Sequence, residues 1–449
     1  MKTESVAQLL TSHVSREGIA LLRSLGSLAE ARGTRAFVVG GLVRDLFLGL
    51  HSEDLDIVVE ESAIDFAAAT VESLGGAAKA HTRFGTVILV VPSGRKIDLA
   101  TARSEAYERP GALPSVTAGG IDQDLMRRDF TINAMAVLLN PDGFGLLLDH
   151  CGGRRDMRDR VLRVLTNRSF EDDPTRILRG VRFSARFGME FEDETERLLR
   201  RAVAERRTDT VSGERLLNEF LLILREGDPA APVGLLIEWG ILRSIVGGWE
   251  LEPEAPDALR DVVAIIEGAP EGDFRSSADR PSALMLSLLA PVSPAIRDAV
   301  LERLSAGRKL RELARELGAL EDGVLDSLSE PACSANSAVY GLLRGFSPEA
   351  IVVAQATRQG SPAAERMALY CSRLWHVGTE INGAMLAGLG VSEGRLVGEI
   401  LHAILNARLD GEVRTFEEEL ALARGMAQTL TRSKRTDNVS GTGDTREAS

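Results

Sequence analysis

The sequence predicts an α+β protein, with strands confined to the first 165 residues and helices over the remainder. Three observations support this class. A strand, a glycine turn, a helix and a second strand follow one another over residues 36–59, and two apolar runs flank a Pro-Ser-Gly turn between Phe84 and Ala100. Beyond Asp173 the apolar residues recur at helical spacing between Gly and Pro breaks. Strands followed by helices are typical of α+β proteins and of chains with several domains.

Local patterns predict the remaining elements of the first 150 residues. Apolar positions favour helices over 1–33 and 63–74, and a strand pair over 138–150. Between them, residues 101–120 are polar and contain Gly and Pro, which predicts a long loop. A loop of this length in a compact domain is usually functional or mobile.

Two carboxylates, Asp54 and Asp56, open the second strand of the 36–59 unit. Side chains two apart on a strand point the same way, so both acids are predicted to project from one face while Leu55 faces the core. Neighbouring carboxylates repel each other unless a cation lies between them. Mg²⁺ is a hard ion that prefers oxygen ligands and often binds phosphate as well, so we expect Asp54 and Asp56 to be magnesium ligands.

Asp98 interrupts the second strand of the 84–100 hairpin. It could lie beside Asp54 and Asp56 as a third catalytic carboxylate and act as the base for an attacking hydroxyl. An ordinary acid at a strand edge explains the same residue equally well, and the sequence leaves both interpretations open.

The glycine turn of the 36–59 unit supplies a second ligand-binding feature. Gly40 and Gly41 allow backbone N–H groups to approach a triphosphate, and the Arg44 guanidinium can pair with its oxygens. A glycine pair or an acidic pair alone is common in unrelated proteins. The order and spacing of both within one short unit favour a nucleotidyltransferase site over a surface turn beside a solvated strand end.

Composition excludes several other classes of protein. The 449-residue chain contains no run of about eighteen apolar residues, so no membrane contact is expected. The N-terminus lacks an apolar signal core, which predicts a cytoplasmic protein. Three scattered cysteines, Cys151, Cys333 and Cys371, fit neither a disulfide framework nor a zinc site. Nothing in the sequence indicates an obligate protein partner.

Charge is distributed unevenly along the chain. The net charge is −13, yet residues 154–186 carry ten arginines and five acids, a local charge of +5. An acidic body with one basic strip can bind a polyanion in a single cleft and repel it elsewhere. A solvated helix face explains the same charges, so the strip alone does not decide between the two.

The basic strip ends in a helix with an ordered pattern. Asp173 is well placed as its N-cap, and Arg176, Arg179, Arg182 and Arg186 follow at spacings of three, three and four. The Asp173 carboxylate can accept a hydrogen bond from the exocyclic amino group of cytosine or adenine, while Arg176 donates a hydrogen bond to the neighbouring ring acceptor. Uracil and guanine carry a keto group there, which would leave the carboxylate unpaired. A capped helix with a charged flank explains Asp173 but not the arginine column.

These motifs occur together in one known family. GGLVRD with Asp54-Leu55-Asp56, RRDFTINAMA, DDPTRILRGVRF and GERLLNEF follow the family order, and the chain resembles class II tRNA nucleotidyltransferases, the bacterial CCA-adding enzymes and their relatives. The resemblance implies a polymerase-β-like nucleotidyltransferase head domain followed by all-helical neck, body and tail domains. The expected segments are a head over 1–150, a neck over 151–212, a body over 213–345, a tail over 346–430 and a disordered C-terminal segment over 431–449.

The resemblance also implies roles for individual residues. Asp54 and Asp56 would bind Mg²⁺, and Gly41 and Arg44 would bind the triphosphate. The nucleotide-binding set would be completed by Arg128 at the nucleotide, by Asp173 and Arg176 at the base, and by Arg179 and Arg182 around the pocket. The acceptor 3′-hydroxyl would attack the α-phosphorus and expel pyrophosphate.

The expected reaction is template-independent addition of CCA to the tRNA 3′ end from CTP and ATP. Addition of CC only, addition of A only and poly(A) synthesis share these motifs and stay open, although a poly(A) polymerase usually has a more basic C-terminal region. In the family, movement of the 101–120 loop helps to switch the pocket from C to A. Arg103, Glu105 and Tyr107 match a version of this loop that occurs in both CCA-adding and A-adding enzymes. A nucleotide-binding regulator without catalysis would not need both acids.

Overall fold

The computed structural model describes residues 5–51, 54–81, 85–391 and 394–440 of the chain. The chain forms two compact units. One comprises Met1–Pro253 with Ala299–Ala306, and the other comprises Glu254–Asp298 with Gly307–Ser449. None of the helices that the structure describes combines the length and the apolar character that a membrane span requires.

Eleven strands are described, all in the first unit. They are β1 (Ala36–Val39), β2 (Leu55–Val59), β3 (Ala77–His81), β4 (Thr86–Val90), β5 (Lys96–Thr101), β6 (Arg103–Ala106), β7 (Ser115–Ala118), β8 (Ala136–Leu138), β9 (Leu147–Leu148), β10 (Val161–Leu162) and β11 (Glu190–Phe191).

Twelve α-helices precede residue 254. They are α1 (Ala7–His13), α2 (Arg16–Ala31), α3 (Gly41–Leu48), α4 (Ala63–Leu74), α5 (Ile121–Met126), α6 (Gly153–Arg158), α7 (Ser169–Asp172), α8 (Thr175–Phe187), α9 (Asp193–Ala204), α10 (Gly213–Leu224), α11 (Ala230–Glu238) and α12 (Ile241–Ile245). Short 3₁₀ turns cover Thr131–Asn133 and Arg207–Thr210.

The rest of the chain is helical, as the sequence predicts. Its helices are α13 (Ala255–Glu267), α14 (Arg280–Leu289), α15 (Pro294–Arg303), α16 (Arg308–Ala319), α17 (Leu325–Ser329), α18 (Asn336–Leu343), α19 (Pro348–Thr357), α20 (Pro362–Leu369), α21 (Gly383–Gly388), α22 (Gly394–Leu409) and α23 (Phe416–Ser440). Shorter helical turns cover Phe274–Ser277, Leu320–Val324 and Tyr370–Leu374.

A mixed sheet of seven strands organises the first unit. The strand order is β3-β4-β5-β2-β1-β8-β9, and β2 and β5 are its parallel pair. All four residues of β1 are buried, as a continuous apolar run at the centre of a sheet requires. Phe37, Val58, Ile121 and Leu125 belong to one buried cluster, which packs α5 onto this sheet. The α+β class is therefore confirmed.

The glycine turn between β1 and α3 has the conformation that the sequence suggests. Gly40 has φ +67°, and Gly49 ends α3 in the left-handed conformation at φ +67°. Both positions favour glycine, because a Cβ is strained at positive φ. The chain can therefore turn at both ends of α3, which lies between β1 and the strand that carries Asp56.

Two predicted helices are each divided in two. The helix expected over 1–33 breaks between α1 and α2, where Ser15 caps α2 by accepting a hydrogen bond from the Gly18 N–H at 3.1 Å. The helical spacing of apolar residues also predicts one helix over 235–245, and this helix breaks at Gly240, which has φ +65°. Apolar periodicity continues through both breaks, so only capping residues mark them.

The predicted loop over 101–120 is instead a hairpin. Strands β6 and β7 pair antiparallel, with Arg103 opposite Ala118 and Ala106 opposite Ser115. Their side chains are polar or small, so no apolar alternation marks them in the sequence. Strand β11 also lies beyond the expected limit for strands and pairs parallel with β10. Two-residue strands are too short to show a period.

Two predictions fall partly outside the described residues. The first strand of the 84–100 hairpin is described as β4, and Phe84 lies outside the described residues. Helix α23 extends to Ser440 and so covers the first part of the segment 431–449, for which disorder is expected. Residues 441–449 lie outside the described residues. The boundaries of head, neck, body and tail stay a prediction.

We expect Gly26→Ala to destabilise the protein. A Cβ at Gly26 would lie 1.9 Å from the carbonyl oxygen of Leu139, so α2 would have to move away from the adjoining backbone. Overpacking of this kind costs about 1–3 kcal/mol, which should lower the midpoint of thermal unfolding followed by circular dichroism. The matched control is Gly398→Ala in α22, where a Cβ meets nothing within 4 Å. Equal midpoints for the two variants would contradict the close packing at Gly26.

Candidate active site

Asp56 and Asp98 lie side by side on the adjacent parallel strands β2 and β5. They are register partners, with Asp56 half-buried and Asp98 exposed. Burial raises the pKa of Asp56, the Asp98 charge raises it further, and Arg128 opposes both effects. The structure therefore brings Asp98, whose role the sequence leaves open, directly beside Asp56.

Asp54 lies differently from the sequence prediction. Strand β2 begins at Leu55, so the two-residue alternation does not extend to Asp54, which is exposed. It lines a cavity of about 750 Å³ between α2 and the β4–β5 turn. The Asp54 charge nevertheless contributes to the raised pKa of Asp56, which places the two carboxylates within electrostatic range.

The acids at this sheet edge fit a divalent cation by their chemistry. Asp56 and Asp98 offer oxygen donors, and the raised pKa of Asp56 shows that its charge lacks full compensation. A hard cation would supply that compensation. Among the described residues, no three Asp, Glu, His or Cys side chains lie together as a complete metal site.

The glycine turn lies against this acid pair. A Cβ built on Gly40 would be 3.0 Å from a guanidinium nitrogen of Arg128 and 3.6 Å from Oδ2 of Asp56. A Cβ on Gly41 would be 3.7 Å from a guanidinium nitrogen of Arg44. The turn thus places backbone at the cavity between two arginines and one carboxylate, which is an arrangement suited to phosphate oxygens.

Arg44 is buried and firmly held. It donates to Asp45 at 2.9 Å and to the side-chain oxygen of Asn133 at 2.9 Å, and its guanidinium lies 4.5 Å from the ring centre of Phe187. Burial lowers the pKa of Arg44, and the Asp45 charge opposes that effect. These contacts fix the cation beside Gly41.

Asp129 joins this part of the sheet to helix α8. Its Oδ2 accepts two hydrogen bonds from Arg179, at 2.6 and 2.9 Å, and its Oδ1 accepts one from Asn133 at 3.0 Å. Burial alone would raise the pKa of Asp129, but Arg179 and Asn133 stabilise the carboxylate and lower the pKa to about 2. Sequence analysis missed Asp129 and Asn133, although their i, i+4 spacing within RRDFTINAMA was a usable signal.

Asp124 of α5 orients the two arginines that directly follow this helix. Its carboxylate is fully buried and accepts from Arg127 at 2.7 Å and from Arg128 at 2.9 Å. Arg127 also donates to Glu105 at 2.9 Å, and Glu105 accepts a hydrogen bond from Tyr107 at 3.1 Å. Burial and the Glu105 charge raise the pKa of Tyr107 to about 12.

Asp173 caps α8, as the sequence predicts. Its backbone is extended and Pro174 already has helical angles, so Asp173 is the N-cap in conformational terms, although the helix proper begins at Thr175. Its Oδ1 accepts from the Thr175 N–H at 3.1 Å and from the Thr175 hydroxyl at 2.6 Å. Its Oδ2 forms no hydrogen bond within the part of the chain that the structure describes.

Arg176 is buried beside Asp173. One of its terminal nitrogens donates to the Ser169 hydroxyl at 2.7 Å, and the other donates to the Arg127 carbonyl at 2.8 Å. Arg176 and Asp173 line the same cavity, of about 420 Å³, whose other lining residues are Gly40, Gly41, Arg44, Asp56, Glu105, Tyr107, Pro114, Arg127, Arg128, Asp129, Asn133, Arg179 and Phe183. Most of the predicted site residues therefore meet in one cavity.

A second cavity, of about 400 Å³, adjoins the same acid pair. Asp98, His81 and Arg103 belong to its lining. The two cavities share Asp56, Arg127 and Arg128. The half-buried Asp56 carboxylate thus borders two separate spaces.

The last two arginines of the predicted column point to acids. Arg182 pairs with Glu226 at 3.4 Å and lies 3.9 Å from Glu219, and Arg186 pairs with Glu226 at 3.6 Å. Arg182 is not among the lining residues described for the 420 Å³ cavity. The far end of the column thus has structural partners on and just after α10, which sequence analysis did not anticipate.

The fold and the site define a nucleotidyltransferase head: a mixed sheet with adjacent carboxylates, a glycine turn and surrounding arginines. The family described as "Poly A polymerase head domain" matches residues 36–163. The family described as "Probable RNA and SrmB- binding site of polymerase A" matches residues 188–253.

Comparison with individual proteins identifies related enzymes that act on tRNA. The chain is 36% identical to an A-adding tRNA nucleotidyltransferase of Geobacter sulfurreducens over 95% of this chain and 49% of that protein. It is 31% identical to a CC-adding tRNA nucleotidyltransferase of Deinococcus radiodurans over 89% of this chain and 92% of that protein. The chain thus spans about half the length of the A-adding relative and most of the CC-adding one.

A solved structure agrees with this relationship. The Thermotoga maritima CCA-adding enzyme, complexed with tRNA, has a TM-score of 0.75 and 33% identity over 96% of this chain and 100% of that chain. The chain belongs to the family of class II tRNA nucleotidyltransferases.

We expect Asp56→Asn to raise the free energy of unfolding without metal. Because the folded state raises the pKa of Asp56, the wild-type protein loses stability relative to the neutral variant as the pH rises through that pKa. The difference should be small near about pH 4 and larger near about pH 8 in urea unfolding with EDTA. The exposed Asp142→Asn is the control. A difference in the free energy of unfolding that does not change with pH would contradict the raised pKa assigned to Asp56.

Proposed function

We propose that this chain adds the 3′-terminal adenosine to tRNA that ends in CC, using ATP and releasing pyrophosphate. One observation carries the proposal. Asp173, with a carboxylate oxygen that has no hydrogen-bond partner among the described residues, lines one cavity with Arg176, Arg44 and Asp56. A base-reading pair, a phosphate-binding cation and a reactive carboxylate are thus within reach of one nucleotide.

The proposed chemistry is attack of the acceptor 3′-hydroxyl on the α-phosphorus. The O–P bond forms as the bond to pyrophosphate breaks, and the hydroxyl proton passes to a base, for which Asp98 is the candidate. The backbone at Gly40 and Gly41 and the guanidinium of Arg44 would hold the triphosphate. Mg²⁺ held by Asp56, with Asp54 within electrostatic range as the second expected ligand, would neutralise charge on the phosphates.

Base selection would use Asp173 and Arg176. The open Oδ2 of Asp173 can accept a hydrogen bond from the exocyclic amino group of adenine or cytosine. A keto group at that position would meet an unpaired carboxylate, which is costly in a half-buried site. Arg176 keeps donor capacity for the ring acceptor, although its two terminal nitrogens also hold Ser169 and Arg127.

The two cavities that share Asp56 suggest separate places for the substrates. The 420 Å³ cavity contains the base-reading pair and would hold the nucleotide. The 400 Å³ cavity contains Asp98 and would admit the RNA 3′ end. A hydroxyl entering from that side would reach the α-phosphorus beside Asp56.

Full CCA synthesis, which the sequence favours, is the second candidate. The similarity to the tRNA-bound Thermotoga maritima CCA-adding enzyme extends over nearly the whole of both chains. A CCA-adding enzyme of known structure is 36% identical over 94% of this chain, the same identity as the A-adding relative has. A addition is placed first because two further relatives, of Halalkalibacterium halodurans and Aquifex aeolicus, are also named A-adding tRNA nucleotidyltransferases, at 38% and 41% identity over 55% and 51% of this chain. In either case we propose tRNA as the acceptor, ATP and, for CCA synthesis, CTP as donors, and the helical neck, body and tail as its binding arm.

Primer extension on two tRNA transcripts tests the proposal. With Mg²⁺, we expect one addition from ATP to the transcript that ends in CC, and none to that transcript from GTP or UTP. Extension of the transcript that ends at the discriminator base by three residues, with CTP and ATP together, would establish CCA synthesis. Asp56→Asn should abolish incorporation, while Asp142→Asn should retain it.

Other outcomes would reject the proposal. Two additions from CTP, with no use of ATP, would mean a CC-adding enzyme. A long ladder from ATP alone would mean a poly(A) polymerase. Incorporation by Asp56→Asn at the wild-type rate would remove Asp56 from the chemistry.

We expect Mg²⁺ to stabilise the wild-type protein through its acid pair. A ligand that binds only the folded state adds about 2.7 kcal/mol at a concentration about 100-fold above its Kd, so the thermal midpoint should rise with Mg²⁺. Asp56→Asn should lose most of this shift and Asp142→Asn should keep it. Equal shifts in all three proteins would place the bound metal elsewhere.

A further inference from the structure

Arg215, at the start of α10, contacts the base-reading carboxylate directly. One terminal nitrogen of Arg215 donates to Oδ1 of Asp173 at 2.7 Å, and both side chains are largely shielded, with exposures of 26% and 18%. The same Oδ1 accepts the two bonds from Thr175. Three donors therefore hold Oδ1, so Oδ2 is the oxygen that stays available for a base.

The second terminal nitrogen of Arg215 contacts the β6–β7 hairpin. It donates to the Gly111 carbonyl at 3.2 Å, and the Gly111 N–H donates to the Asp172 carbonyl at 3.3 Å. Gly111 has φ +72°, and a Cβ there would lie 2.5 Å from the Thr210 carbonyl oxygen. The hairpin tip is thus packed where only a glycine fits, against the residues that precede α8 and α10.

The base of the same hairpin reaches the nucleotide cavity. Glu105 and Tyr107 line that cavity, and Glu105 accepts hydrogen bonds from Arg103 and Arg127. The hairpin therefore touches the site twice, once at its strands and once at its tip. The guanidinium fork of Arg215 is the side chain that connects the tip to Asp173.

We propose that Arg215 is a positioning residue for nucleotide choice. It fixes one oxygen of Asp173, which presents the other to the base, and it ties the tip of the β6–β7 hairpin to the start of α8. This inference rests on the proposed function, because Asp173 must read the base for its orientation to matter. A planar guanidinium with two donors suits this double contact, which a lysine ammonium cannot reproduce with the same geometry.

The first test is Arg215→Met, assayed on the tRNA transcript that ends in CC. We expect the ratio of kcat/KM for ATP to that for GTP and UTP to fall about 10- to 100-fold, the effect of losing a hydrogen bond to a charged group. The control is Arg225→Met at the other end of α10, where the side chain is exposed. An unchanged ratio, with all nucleotides slowed alike, would mean a structural role and overturn the proposal.

A double-mutant cycle tests whether Arg215 acts through Asp173. If it does, Arg215→Met combined with Asp173→Asn should discriminate no worse than Asp173→Asn alone. Independent, multiplicative losses would reject the connection. If Arg215→Met fails to fold, Arg215→Lys replaces it in both experiments, and wild-type selectivity in the lysine variant would equally reject the proposal.

The hairpin contact is tested separately with Gly111→Ala. Its Cβ would displace the tip from Thr210, so we expect a loss of selectivity in the same direction as for Arg215→Met. Gly94→Ala is the matched control, since Gly94 also has a positive φ, of +84°, but a Cβ there meets nothing within 4 Å. Wild-type selectivity in Gly111→Ala would overturn the hairpin part of the proposal.

Failure of the proposed function would be distinguishable from failure of this inference. If the wild-type protein extends no transcript, the proposed function fails, and the inference about Arg215, which rests on it, is overturned as well. If the wild-type protein extends the CC transcript selectively with ATP and Arg215→Met does so with the same selectivity, the proposed function stands and the role of Arg215 is refuted.

Discussion

The buried Asp129 carboxylate joins the separate parts of the site. It binds Arg179 of α8 on one oxygen and Asn133 on the other, and Asn133 in turn holds Arg44. One charge thereby fixes helix α8, which is proposed to read the base, and the arginine beside the glycine turn. A buried carboxylate is stable only when its charge is compensated, and these partners supply the compensation. Removal of Arg179 would leave the buried Asp129 carboxylate without its cationic partner.

Charged groups are arranged around the cavity in two different ways. Buried acids orient the cavity arginines, as Asp124 does for Arg127 and Arg128, so these cations face the cavity in fixed positions. At the sheet edge, by contrast, Asp56 and Asp98 meet as like charges in register. The first arrangement pairs opposite charges, whereas the second places like charges together, a repulsion that a bound cation would offset. This difference separates residues that build the site from those proposed to react in it.

The predicted site was recovered most fully where local sequence dictates geometry. The turn at Gly40, the end of α3 at Gly49 and the cap at Asp173 follow from backbone rules that act over a few residues. Predictions were weaker where they depended on pairing between distant strands or on packing. Asp54 was expected to share a strand face with Asp56, but the strand begins at Leu55. Asp98 of the neighbouring strand is the register partner of Asp56. The 101–120 segment forms a hairpin that no apolar alternation announces.

The sequence by itself determined the α+β class, the glycine turn, the capped helix α8 and the family, because these depend on short-range spacing and motif order. Only the tertiary structure decided which charged groups meet. Arg179 donates a hydrogen bond to Asp129, which lies fifty positions earlier in the chain, and Arg215 donates hydrogen bonds to both Asp173 and Gly111. Such pairs arise from the packing of helices and sheet, and residues so far apart leave no periodic signal in the chain. The physical reason is that a buried charged group pairs with whichever opposite charge lies nearest to it in space. That distance depends on the whole fold and not on the spacing of residues in the sequence.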